Sequence, residues 1–138
     1  MKRLPIIIRN DGYDQLYTPL TFAYTAAKKG IEVDLLFVLW AVRVLTQQGA
    51  DTVQMSPQHA SEAAWFKAQV SRDGDPLSIH DFIRLVKQTG SVNLYGCRLA
   101  ATNFGVEPTH LIPEANGIAD PLWFLEEKVM KADHCQYF

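Results

Sequence analysis

A chain of 138 residues has room for one domain with a sizeable core and too little for two ordinary ones, so a single domain over residues 1–138 is expected. Hydrophobic residues make up 48% and charged residues 20%, a globular balance, and a formal net charge of −2 exerts no general pull toward nucleic acid or an anionic membrane. The two cysteines, Cys97 and Cys135, have neither the density nor the spacing of a disulfide framework or a zinc site, which fits a reducing cytoplasm.

The apolar run that follows Met-Lys-Arg, Pro5 to Ile8, is too short for a secretory signal core. The longest apolar stretch, from Ile31 to Leu45, is broken by Glu32, Asp34 and Arg43 and falls short of a membrane span. Pro5-Ile-Ile-Ile-Arg9 reads as a strand covered on both faces, and it ends at the turn signal Asn10-Asp11-Gly12. Thr18 as cap and Pro19 at the first position predict a helix that runs through Lys28 and Lys29 to a left-handed stop at Gly30, with Asp14 as a competing start. Leu20, Ala23 and Ala27 share one face of it.

Residues 31–40 begin with polar alternation and turn wholly apolar, as in a strand that enters the core and ends at Trp40. The pattern weakens from Ala41 to Pro76: a helical turn or two to Gln48, a helix from His59 to Val70, then a turn at Arg72-Asp-Gly-Asp-Pro76. Ser78, with Asp81 three residues on, caps a helix whose Ile79, Phe82, Ile83 and Val86 lie on one face before Gly90 ends it.

The next stretch, Ser91 to Gly105, carries the most chemistry. Val92, Leu94 and Tyr95 suit a buried strand, Gly96 permits a sharp turn, and Cys97 stands where the chain turns into a short helix. Helix N–H groups and the adjacent Arg98 would favour a thiolate there, although cysteine at a strand end is more often inert packing. Beyond it, Thr109 to Ile112 suggests a brief extended piece. Asp120 and Pro121 open a last helix with Leu122, Leu125 and Val129 inward and Glu126, Glu127, Lys128 and Lys131 outward, and residues 133–138 read as a terminal strand.

Strand and helix alternate throughout, which predicts an α/β fold: a mostly parallel, doubly wound sheet of about five strands with helices on both faces. Asn10, Asp11, Trp40 and Cys97 then gather on the carboxyl rim of the sheet, where such folds bind ligands. No cofactor signature is present. The loops after the first two strands lack a Gly-rich phosphate cradle, and Asp11 would repel a phosphate, which counts against a nucleotide or flavin. His59, His80, His110 and His134 show no metal-ligand spacing, and Asp11 with Asp14 is explained by turn and cap chemistry rather than by paired-carboxylate hydrolysis.

The chain resembles the DsrE/DsrF-like family of sulfur-relay proteins. The resemblance rests on Pro19-Leu-Thr-Phe-Ala-Tyr-Thr-Ala-Ala with Gly30-Ile-Glu-Val, on Leu35-Leu-Phe-Val-Leu-Trp40, on Asn93-Leu-Tyr-Gly-Cys97 followed by Gly105, and on the close from Lys131 to Phe138. It implies a cytoplasmic homo-oligomer, trimer or hexamer, that carries sulfur as a persulfide on Cys97. Donor and acceptor would be partner proteins or small thiols, with Asn10, Asp11, Trp40 and Arg98 as pocket neighbours. Some relatives carry a second cysteine in the helix after the first; here Leu99, Ala100 and Ala101 provide none, and Cys135 is expected to be packing rather than a resolving thiol. The rival reading is a binding or assembly module of the same fold in which Cys97 is structural.

Overall fold

The computed structural model describes residues 1–138. Three β-rich runs, β1 (Arg3–Ile8), β2 (Glu32–Phe37) and β3 (Val92–Cys97), pair in parallel with Ile6 beside Leu35 and Leu35 beside Leu94. None of these three side chains reaches solvent, as expected where helices cover the sheet. Short strands β4 (Gly117–Ala119) and β5 (Gln136–Tyr137) complete a five-stranded, all-parallel sheet of order β4-β3-β2-β1-β5.

One face of the sheet packs on helices α1 (Tyr13–Lys28) and α4 (Ile79–Gln88). Leu20, Ala23 and Ala27 of α1, and Ile79, Phe82, Ile83 and Val86 of α4, are all buried there, as their spacing predicts. The other face carries a smaller apolar cluster of Leu36, Val42, Cys97, Ala100, Ala101, Val106, Ala119 and Phe124, to which α5 (Arg98–Phe104) gives Ala100 and Ala101 and α6 (Pro121–Phe124) gives Phe124. Between β2 and α4 lie α2 (Gln47–Ala50) and α3 (Ala63–Arg72), with 3₁₀ turns at Leu39–Leu45 and Pro57–Glu62.

Several boundaries differ from the sequence expectation, each for a physical reason. Helix α1 starts at Tyr13, beside the competing start at Asp14 rather than at Thr18, and Pro19 lies inside it. The apolar stripe already begins with the buried Tyr13 and Leu16, and the Gly12 N–H donates to Gln15 Oε1 at 3.1 Å, which together outweigh the hydrogen bond that proline cannot make. Strand β2 stops at Phe37 rather than at Trp40, because Leu39 takes a left-handed backbone (φ 48°) and turns the chain into the 3₁₀ segment.

Thr109 to Ile112 forms a 3₁₀ turn at Pro108–His110 and a single antiparallel bridge from Leu111 to Thr46; the strand in this region is β4, seven residues beyond His110. The last helix is four residues of α-helix followed by a wide π turn, Leu125–Val129, in which the Met130 N–H donates to the Leu125 carbonyl. The extra residue per turn rotates the side chains relative to an α-helix. Leu122 and Leu125 are exposed and Phe124 is buried in their place, and within the π turn Lys128 points inward, whereas Val129 packs on the cluster and Glu126 and Lys131 face outward as expected.

Candidate functional site

The connections after β1, β2 and β3 all leave the carboxyl end of the sheet, and the sequence candidates stand on them. Cys97 is the last residue of β3 and the cap residue of α5, with extended backbone before the helix begins. Its side chain falls on the same side of β3 as Asn93 and Tyr95 and packs among Val42, Ala100, Ala101, Val106 and Phe124, leaving 5% of the residue exposed. Arg98 turns away from the apolar shell toward Asp120, 3.8 Å distant, in an exposed pair of small energetic weight.

Beside this shell, the rim opens into a cleft of about 810 Å³. Its walls come from the turn after β1 (Asp11, Gly12), from the Arg43–Gly49 and Thr52–Pro57 segments after β2, and from the end of α5 onward (Phe104, Gly105, Val106). Val106 belongs to both regions: it lines the cleft and packs in the Cys97 cluster. Gly105 makes this possible by taking φ 66° at the end of α5, so that the Val106 N–H returns to the Ala101 carbonyl at 2.8 Å and the side chain folds under the helix.

Of the sequence candidates, Asp11 lines the cleft, whereas Asn10, Trp40, Cys97 and Arg98 do not. Asp11 pairs with Arg43 at 3.3 Å, and the Arg43 guanidinium lies over the rings of Trp40 and Phe104 at 5.4 and 5.1 Å. Trp40 meets Phe104 edge-on at 5.1 Å and is 54% exposed, so it is a rim residue rather than core. One continuous chain of contacts thus runs from Asp11 through Arg43 and Trp40 to the helix that Cys97 caps.

Arg43 was hidden in the least patterned third of the sequence, where no spacing marks it. Also missed was the pinning of the cleft wall. Asp14 accepts from the Ser56 N–H at 2.9 Å and from the Ser56 hydroxyl at 2.7 Å, and the Tyr13 N–H donates to the Gln54 carbonyl at 2.8 Å. Burial opposes the Asp14 charge, but the Ser56 hydrogen bonds outweigh it and hold the carboxyl below its ordinary value.

On the Cys97 face, fully buried Asp34 meets Lys128 at 3.1 Å and accepts from Asn93 at 3.0 Å. Burial works against the Lys128 charge, yet the hydrogen bond and charge of Asp34, with Tyr95 and Glu32, keep its pKa above the ordinary value. Tyr95 itself is raised, first by burial. Cys135 is half-buried, and burial pushes its thiol up, the environment of a packed rather than an activated cysteine. His80 is a core histidine: its ring nitrogens face Asp51 at 3.0 Å and Glu114 at 2.6 Å.

The fold is a parallel five-stranded α/β sheet with a cysteine at the carboxyl end of an interior strand. The family model described as the DsrE/DsrF-like family matches residues 2–122, and the chain belongs to that family, which points to a function related to sulfur relay. A solved structure of a protein of unknown function from Methanobacterium thermoautotrophicum superposes with a TM-score of 0.61 at 8% identity, covering 100% of both chains, and shares the fold. No curated protein matches the sequence. No helix is long and apolar enough to cross a membrane.

Proposed function

We propose that this protein carries sulfane sulfur as a persulfide on Cys97 and passes it to a partner thiol in the cytoplasm. Membership of the DsrE/DsrF-like family is the observation that carries this reading, because the cysteine at the end of β3 matches the position that the resemblance assigns to sulfur. The thiolate of Cys97 attacks the outer sulfur of a hydropolysulfide or a persulfide, RS–SH. A bond forms between that sulfur and Sγ, the donor S–S bond breaks, and RS⁻ leaves with the electron pair and takes a proton from water.

In the second half, an acceptor thiolate attacks the outer sulfur of the Cys97 persulfide and releases the Cys97 thiolate, so no external oxidant or reductant is needed. With no cysteine among Leu99, Ala100 and Ala101, the acceptor is another protein or a small thiol. Asn10, Asp11, Trp40 and Arg98 are the proposed neighbours of the passing sulfur. Assembly into a homo-trimer or homo-hexamer belongs to the same reading and is supported by the exposed Leu122, Leu125 and Met130 beside the Cys97 face. The burial of Cys97 favours one rival, a module of the same fold in which the thiol is structural.

Intact mass after incubation with polysulfide separates the two. The expected result is a gain of sulfur that reductant reverses, absent in Cys97→Ser and retained in Cys135→Ser. A chain that takes up no sulfur, with Cys97 unreactive to alkylation until the protein unfolds, would establish the structural thiol.

A further inference from the structure

The cleft beside the Cys97 shell has a lining that selects by charge. Among the residues around it, Asp11 is the one acid and Arg43 the one base apart from His110, and the two meet at 3.3 Å with about half of each side chain exposed. Exposed pairs of this kind contribute little and open readily. An incoming molecule can therefore separate them, provided that it supplies an anion to Arg43 and a cation to Asp11.

The neutral groups add donors and acceptors of the kind that peptide bonds match. Gln15 uses its Oε1 on the Gly12 N–H, which leaves its amide NH₂ to donate. Gln54 spends a side-chain N–H on the Thr52 carbonyl and keeps its side-chain Oε1 to accept. His110 accepts the Glu107 N–H at Nδ1, at 3.0 Å, so its Nε2 is the ring's donor.

We propose that this cleft is a binding site for a short zwitterionic peptide of two or three residues. Its carboxylate takes Arg43 with help from His110, its ammonium takes Asp11, and its peptide groups meet Gln15 and Gln54. The volume, about 810 Å³, is in the range of small-molecule sites and leaves space for a tripeptide. A phosphate-bearing ligand fits less well, because Asp11 faces it; a polyol has no charges to use the pair. Val106 and Phe104 line the cleft and also pack in or against the cluster that holds Cys97, so a thiol on the bound peptide would lie on the cleft side of that packing. That bearing on sulfur transfer rests on the function proposed above; the binding does not.

The test is a titration of the folded, isotopically labelled protein with S-methylglutathione, followed by amide chemical shifts. This probe has no thiol and cannot exchange with Cys97, so its result is independent of whether Cys97 takes up sulfur. Expected are saturable shifts centred on Gly12, Gly49 and Gly105, with affinity at least about tenfold weaker in both Arg43→Gln and Asp11→Asn, as for the loss of a charged hydrogen bond. The absence of shifts at millimolar probe, shifts centred away from the cleft, affinity unchanged in both variants, or inorganic phosphate binding as tightly would each overturn the proposal.

Discussion

Asp34 is in the middle of the central strand β2 with no solvent exposure, and one of its carboxylate oxygens has no hydrogen-bond partner. Its tolerance depends on Lys128, whose ammonium lies 3.1 Å away. Replacement by an isosteric apolar side chain, Lys128→Met, leaves an uncompensated buried charge and is expected to cost about 3–5 kcal/mol in urea unfolding at neutral pH. The double variant with Asp34→Leu should recover most of that loss. Because the Lys128 pKa is raised in the folded state, its contribution is fully present below the ordinary value of 10.5 and is lost as pH rises through the higher folded value. The wild-type urea midpoint should therefore hold at pH 9 and fall as pH rises past the ordinary lysine value of 10.5, while Lys128→Met loses this alkaline slope. Sequence periodicity placed Lys128 on the outside, since a 3.6-residue repeat was applied to a segment whose π turn changes the phase.

At the scale of elements, legibility followed the strength of local patterning. Helix α4 was readable end to end because Ser78 caps it, donating no proton but accepting the Asp81 N–H at 3.0 Å, and because its four apolar residues form one stripe. The segment from α2 to α3 was readable only in part: the helix expected from His59 to Val70 is the 3₁₀ turn Pro57–Glu62 followed by α3, but the stretch before it is held by long-range hydrogen bonds, and no local rule reveals that Ser56 will meet Asp14, 42 residues away. Ser56→Ala is expected to cost about 1–2 kcal/mol and to loosen the cleft wall, seen as faster amide exchange across residues 52–57. The Asp14 pKa is lowered on folding, so this contribution is complete above its ordinary value of 3.8 and is lost as pH falls through the lower folded value. Wild type and variant should therefore converge in stability in strong acid. Strand β4 escaped sequence reading for another reason: three residues, Gly-Ile-Ala, are too few to show alternation.

For the whole molecule, the order of strand and helix was enough to give the class of fold, and a cleft does open at the carboxyl rim where that order places the loops. Which residues converge there was not legible, because Arg43 approaches Asp11 across 32 residues of weakly patterned chain. The second face of the sheet is covered by short elements, the 3₁₀ segment Leu39–Leu45, α5, α6 and the π turn, and it leaves Leu122, Leu125 and Met130 in solvent. Light scattering of the purified protein is expected to give the mass of three or six chains; a monomer at micromolar concentration would remove assembly from the proposed function. Leu122→Glu with Leu125→Glu should shift any such assembly toward single chains without unfolding them, as both positions are exposed.

The sheet order also has a consequence for how the protein is made. Strands β1 to β4 can line up in the order in which they are synthesised, but β1 keeps one edge open until residues 136–137 arrive to form β5. The Phe138 N–H then donates to the Ile7 carbonyl and the Arg9 N–H to the Phe138 carbonyl, both at 2.8 Å. A nascent chain stalled before this point presents Pro5-Ile-Ile-Ile as a bare, apolar strand edge, a template for pairing with another chain. The ribosome-bound intermediate, rather than the finished fold, is thus the species most in need of a chaperone.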